Sequence, residues 1–344
     1  MTVKDFRFWK VREPASRRTY CVIRIRTNEG LTGFGECSDL PANAEQMVLG
    51  LPVDAFEASA KKLTSQPGLA AAFNMTALDV LGQKSKAPLY QVLGGPTRFK
   101  VRAMTALDDK DLIGSLARAL QAGYKAFSVP APEAMARNQG QAYARSVLAR
   151  LEALRKAAGD GADFVLDGGS RLSPGDAAVV AAQIERFHTL WFDEPCQTGN
   201  TRALEKISSE CVTPIGYGRH ASTPAEFQAW LREQVIDIAR PDLARHGITA
   251  IKRIAAIAES YYTAVAPYHD GGPIATAAAL HLAASLPNFF IQQIPLPAAA
   301  EDRQMRAAIA GSAVESVRDG FAALPTKPGL GIELNEQALE RYSI

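Results

Sequence analysis

Cysteine is scarce in this chain: Cys21, Cys37, Cys196 and Cys211 are scattered over 344 residues with no CxxC spacing. That speaks against a structural zinc site, and it fits free thiols in a reducing cytoplasm. An excess of one charge sign is also lacking. The net charge is +2, so no electrostatic pull toward nucleic acid or an anionic membrane is expected. No apolar run is long enough to span a bilayer, and the opening MTVKDFRFWK lacks a signal-peptide core. No GxGxxG follows a strand-like run, so no dinucleotide site is expected. What is present is the balance of a globular enzyme, 47% apolar and 22% charged residues. The length suits one barrel plus one small extra domain.

The N-terminal part reads as antiparallel strands followed by helices. Residues 19–27 (TYCVIRIRT) alternate apolar and polar, 28–30 (NEG) turn, and 31–36 (LTGFGE) return as a partner strand. Residues 12–18 (REPASRR), basic and interrupted by Pro14, read as a solvated surface loop, with three arginines also able to meet an acidic ligand. Over 70–84 (AAAFNMTALDVLGQK) apolar residues recur at three- and four-residue spacing, which predicts an amphipathic helix. Gly94-Gly95-Pro96 then closes an α+β domain of residues 1–98. From residue 101 the pattern becomes an alternation. Strands are expected at 101–107, 126–130, 164–167, 190–193, 214–218, 237–241, 262–267 and 289–294, with helices between them, for example 177–188, 224–234, 248–260 and 274–286. Eight such repeats favour a (β/α)8 barrel over 99–318 rather than an open doubly wound sheet. The tail, 319–344, is expected to pack back on the first domain.

The stretch 189–204 (TLWFDEPCQTGNTRAL) organises the rest. Its apolar strand ends in two adjacent carboxylates, Asp193 and Glu194, and Pro195 stops it. A charge at the end of a buried strand is costly unless something uses it. Asp167 stands 26 residues earlier and Arg219 26 residues later, each at an expected strand end. Equal spacing aims three charged side chains from successive βα units at one centre.

Further motifs follow in order: VIRIRTNEGLTGFGE, ALDVLGQKSKAPLYQVLGG, DGGSRLSP, WFDEP, TPIGYG, DIARPDLARHGIT, APYHDGGPI, LHLAASLPNF and PGLGIEL. Their joint order resembles the enolase superfamily, in its mandelate racemase and muconate lactonizing enzyme-like branch, and especially the branch's sugar-acid dehydratases. The resemblance implies a modified (β/α)8 TIM barrel with an α+β N-terminal capping domain completed by the C-terminal tail, assembled as a homo-oligomer. It also implies Mg²⁺ on three carboxylates. The implied reaction removes the proton α to the carboxylate of a small hydroxy acid or sugar acid, leading to dehydration (a lyase) or isomerisation and racemisation.

Residue by residue the match is partial. Asp167 and Asp193 fall on the first two metal positions, but the third falls on Arg219, where the family has Glu. The family's basic pair on the second strand falls on Ser128 and Pro130. Its first catalytic His falls on Gly169, and its second on Tyr268, with His269 next. Asp242, the partner of that second His, is retained, and Gln293 stands where Glu is common. Catalytic roles are therefore expected of His269, Tyr268, Asp242 and Arg219. Substrate contacts are expected of Ser128, Glu194, His220 and Gln293.

Two carboxylates beside a fixed cation make a poor Mg²⁺ site, because the ion seeks octahedral oxygen coordination and is repelled by a guanidinium a few ångströms away. Arg219 then either forms a buried ion pair with Asp167 or Asp193, or polarises a bound carboxylate. A member that has lost the reaction and only binds a small carboxylate fits the same substitutions. His269 is one residue out of register and faces the cavity only if its loop compensates. His188, His246 and His281 read as structural or solvated. Residues 271–273 (GGP) lead into a helix whose N-terminus either accepts an anion or simply follows a turn.

Overall fold

The computed structural model of the protein describes residues 1–134, 138–196 and 201–344. Three antiparallel strands form the cap sheet: β1 (Val3–Arg12), β2 (Thr19–Thr27) and β3 (Thr32–Cys37). Strand β2 follows its alternation. Strand β1 departs from that pattern: a bulge lies between Val3 and Asp5, and its buried residues are Val3, Phe6, Trp9 and Val11. The short helices α1 (Ala44–Val48) and α2 (Phe56–Lys62) precede the long α3 (Pro67–Lys84) and the single turn α4 (Leu89–Val92). Helix α3 is buried on nearly every side rather than amphipathic. It is wedged between the cap sheet and the barrel, where Asn74 donates to Thr249 Oγ1 at 3.0 Å and accepts from Thr249 N at 3.2 Å.

The barrel alternates β4 (Lys100–Ala106), α5 (Leu112–Gln121), β5 (Ala126–Pro130), α6 (Gln141–Ala158), β6 (Asp163–Asp167), α7 (Pro174–Ile184), β7 (Phe192–Asp193), α8 (Thr201–Ser208), β8 (Ile215–Tyr217), α9 (Pro224–Arg232), β9 (Ile238–Ala239), α10 (Leu243–Glu259), β10 (Ala264–Val265), α11 (Pro273–Ser285) and β11 (Gln292–Gln293). Strands β4 to β10 lie side by side in chain order and parallel. The last segment joins the two edges: Val265 N donates to Asn288 O, Phe290 N donates to Val265 O, and β11 pairs with β4. Helix starts follow local chemistry. Ser173 caps α7 ahead of Pro174, and Thr223 with Glu226 forms a capping box on α9. Helix α10 has a non-helical residue, Gly247 at the positive φ of 71°, just where a Cβ would lie 3.2 Å from Ala71 in α3.

Inside the ring, Met104, Ala126, Val165, Trp191, Ile238, Ala266 and Ile291 form one apolar layer. At Gly216 a Cβ would lie 2.2 Å from the Trp191 ring, so the indole fills the space that β8 leaves. Successive residues of a strand alternate faces. This layer therefore fixes which side chains above it, at the C-terminal ends of the strands, point into the mouth.

After α12 (Ala300–Ala310), a hairpin of β12 (Val317–Arg318) and β13 (Phe321–Ala323), absent from the sequence reading, pairs antiparallel with β4. Helix α13 (Glu336–Tyr342) lies against the cap sheet, with Glu340 accepting from Trp9 Nε1 at 2.9 Å and Glu336 paired with Arg24 at 2.8 Å. Residues 13–18 form a surface loop in which 14–17 are exposed, but its backbone and its ends are tied to the barrel. Asp302 accepts from Ala15 N and Ser16 N, Arg306 pairs with the buried Glu13 at 2.8 Å, and Arg18 pairs with Asp270 at 2.6 Å. Solvation holds for 14–17, while Glu13 and Arg18 find partners in residues far off in sequence.

Candidate active site at the barrel mouth

The carboxylates that end β6 and β7 meet charges of the chain itself. Arg219, just past β8, grips Asp167 with both terminal nitrogens, at 3.0 and 2.8 Å. Gly169 N also donates to Asp167 Oδ1 at 2.8 Å. Burial works against the charge on Arg219, but Asp193 and Asp167 outweigh it and hold its pKa above the usual arginine value. Glu194, at φ 43°, accepts from Gly218 N and Arg219 N on one oxygen and from Ser170 Oγ on the other. Burial, then the adjacent Asp193, raises its pKa. Glu194 thus ties the ends of β6, β7 and β8 together.

Asp193 has a second, unforeseen partner. Arg240, fully buried, donates from Nε to Asp193 Oδ1 at 3.0 Å, to the Ala266 carbonyl at 2.6 Å and toward Gln293 Oε1 at 3.3 Å. Trp191 Nε1 donates to the same Asp193 oxygen at 2.9 Å. The signal available for Arg240 was its place in the predicted strand 237–241: a cation inside a buried strand requires a partner.

These residues do not fit Mg²⁺. Both oxygens of Asp167 are engaged by a guanidinium, and Asp193 Oδ1 already receives two donors. Among the described residues no group of three His, Cys, Asp or Glu side chains is placed to hold a metal ion.

The expected catalytic residues separate. The ends of β9 and β10 run on together, with Asp242 paired to Tyr268, so both reach the mouth. Tyr268 shares the inward face with Ala266, whereas His269 takes the outward face. That is the correction to His269 as a cavity base: no bulge compensates the one-residue shift. The ring is buried, with Nε2 bonded to Thr276 Oγ1 at 2.8 Å and Nδ1 accepting from Gly271 N at 3.2 Å. Burial, helped by Arg306 and Arg18, pushes its pKa well below the usual value, so it stays neutral. The N-terminus of α11 is likewise not free for an external anion, because Glu36 of β3 accepts from Gly272 N and Ala275 N. Burial raises the Glu36 carboxyl to about 7.

A cavity of about 360 Å³ lies between cap and barrel, lined by Arg18, Tyr20 and Glu36 from one side and Asp242, Arg245 and Tyr268 from the other. Burial raises Asp242 to about 6, so it can take or give a proton near neutrality. Tyr268 is raised, first by burial and then by Asp270, and keeps its proton. Of the expected substrate contacts, Ser128, Glu194 and Gln293 are buried and none lines this cavity; His220 is exposed nearby, its pKa lowered by burial and Arg219. His281 is structural, accepting from Tyr90 N at 3.1 Å.

Comparison with known proteins bears on the same mouth. The sequence model of the family described as Enolase C-terminal domain-like matches residues 111–338. A D-galactonate dehydratase of Verminephrobacter eiseniae is 29% identical over 276 residues, covering 76% of this chain and 70% of that one. A D-xylonate dehydratase of Haloferax volcanii is 25% identical over 360 residues, covering 94% and 85%. Among solved structures, a mandelate racemase/muconate lactonizing enzyme from Jannaschia sp. CCS1 superposes with a TM-score of 0.88 at 24% identity, covering 100% of this chain and 98% of that one. An enolase from Agrobacterium radiobacter, solved with sodium and L-malate bound, gives 0.86 at 21% identity, with coverage of 100% and 95%.

Proposed function

The chain belongs to the enolase superfamily, in its mandelate racemase and muconate lactonizing enzyme-like branch, and we propose from that premise that it acts on a small hydroxy-carboxylate of the sugar-acid kind. The substrate enters the cavity between cap and barrel. Arg245 and Arg18 face its carboxylate there, Asp242 takes the proton α to that carboxylate, and Tyr268 offers a hydroxyl to the group that departs or is reprotonated. The outcome is dehydration or isomerisation. The observation that carries this reading is the half-buried Asp242, raised to about 6 beside Tyr268 in a cavity that also presents two arginines. The relatives named as galactonate and xylonate dehydratases support the substrate class.

One observation favours a second reading, a binding protein without turnover. Asp167 and Glu194 are saturated by donors of the chain itself, so a carboxylate ligand can be held without being activated. Incubation with a library of hydroxy and sugar acids in deuterated water separates the two. The enzyme reading expects loss of the α-proton signal or appearance of a dehydrated product for at least one compound. Saturable binding with neither exchange nor product sinks it in favour of the binder.

A further inference from the structure

The family's metal set has been rebuilt here, and we infer that Arg219 and Arg240 together take the place of the divalent cation, one guanidinium on each aspartate. The inference concerns charge at the barrel centre and stands apart from turnover. Two monocations replace one dication, and the geometry divides them: Arg219 on Asp167 at 2.8 Å, Arg240 on Asp193 at 3.0 Å.

Three substitutions that look like separate losses fit this one arrangement. Gln293 gives Arg240 a neutral carbonyl acceptor; a carboxylate at that position would compete with Asp193 for the same cation. Tyr268 places its ring 4.8 Å from the Arg219 carbon and 5.7 Å from that of Arg240. The π-face of a phenol suits two neighbouring guanidinium groups. An imidazole there, gaining a proton in the reaction, would add a third cation. Arg219 itself removes the third carboxylate that a metal would need. Among the described residues, the polar atoms of this centre left without a hydrogen-bond partner are Asp193 Oδ2 and Arg219 Nε. One acceptor and one donor complement a hydroxyl group, whereas a metal ion takes acceptors only. Simple decay of a metal site would leave buried carboxylates with no cation, a state that folding penalises; here every aspartate of the centre has one.

The test is calorimetric titration of the full chain with MgCl2, supported by spin-resonance titration with Mn²⁺. Wild type is expected to show no saturable binding below millimolar metal. Arg219→Glu alone stays weak, because Arg240 still neutralises Asp193. The Arg219→Glu, Arg240→Gln double variant binds Mn²⁺ roughly tenfold tighter or more than either single variant. Micromolar binding by wild type overturns the inference. So does a double variant that is folded by circular dichroism yet no tighter than Arg219→Glu.

If the double variant does not fold, urea unfolding of Asp193→Asn decides. The pairing predicts a lowered midpoint that adding Arg240→Gln partly restores; a further fall means that the two are not a unit. None of these outcomes depends on proton exchange, so they fail separately from the proposed reaction.

Discussion

What a carboxylate does at this barrel mouth is decided by its donors. Asp167 and Glu194 accept from several donors of the chain itself, while Asp242 receives one backbone donor, Ala244 N at 2.9 Å, and lines the cavity. Asp242 is therefore a side chain of the barrel mouth whose charge changes near neutrality, as that of Glu36 does on the cap side of the same cavity. The Asp242 carboxyl is raised to about 6, so as a base it is inactive below that value. The rate should rise with pH through about 6 and level above it, and Asp242→Asn should remove that limb and cost about a hundredfold or more in kcat. A kcat profile in pH that rises identically in the variant would exclude Asp242 as the base. At this scale the sequence was partly legible. The equal spacing of Asp167, Asp193 and Arg219 foretold an ion pair, because charge sign and strand position are visible in one dimension. The pairing of Arg240 with Asp193 was not, since no motif marks it and its partner lies 47 residues away.

Elements carry the next constraint. The two-residue period of β10 sends Tyr268 inward and His269 toward α11, and the same rule that located the strand also decides against the histidine. Boundaries were less legible. The expected strand 262–267 shrinks to Ala264–Val265, because ring pairing occupies only the residues facing β9. At the start of α11 the cap strand β3 delivers Glu36 to Gly272 N and Ala275 N, a junction between elements that sequence spacing does not reveal.

This junction has a pH signature. Burial raises Glu36 from 4.5 to about 7, so between those values the folded state holds a proton that the unfolded chain has released. Stability from this group is therefore greatest at acid pH and declines as pH rises through about 5 to 7, by on the order of 3 kcal/mol in all. Urea unfolding across that range should show a shallower decline for Glu36→Gln than for wild type. Equal slopes would place the buried proton elsewhere.

For the molecule as a whole, eight strand and helix alternations announced the barrel because parallel pairing leaves a periodic apolar record. The seating of cap on barrel left none. It rests on an apolar core that takes Trp9, Tyr20 and Met75 together with barrel side chains. It rests also on ion pairs between segments remote in sequence, and these pairs differ in their access to water. Glu13 and Arg306 are 0% and 1% exposed, whereas Arg18 and Asp270 are 28% and 51% exposed at the cavity rim. Dissolved ions screen exposed pairs and hardly reach enclosed ones. Raising sodium chloride should therefore weaken capture of an anionic ligand while the melting temperature scarcely moves; parallel loss of both, measured by titration and by calorimetric melting, would contradict this division. On this division brine would loosen the grip of the rim on an anion and leave the enclosed Glu13–Arg306 pair as it was.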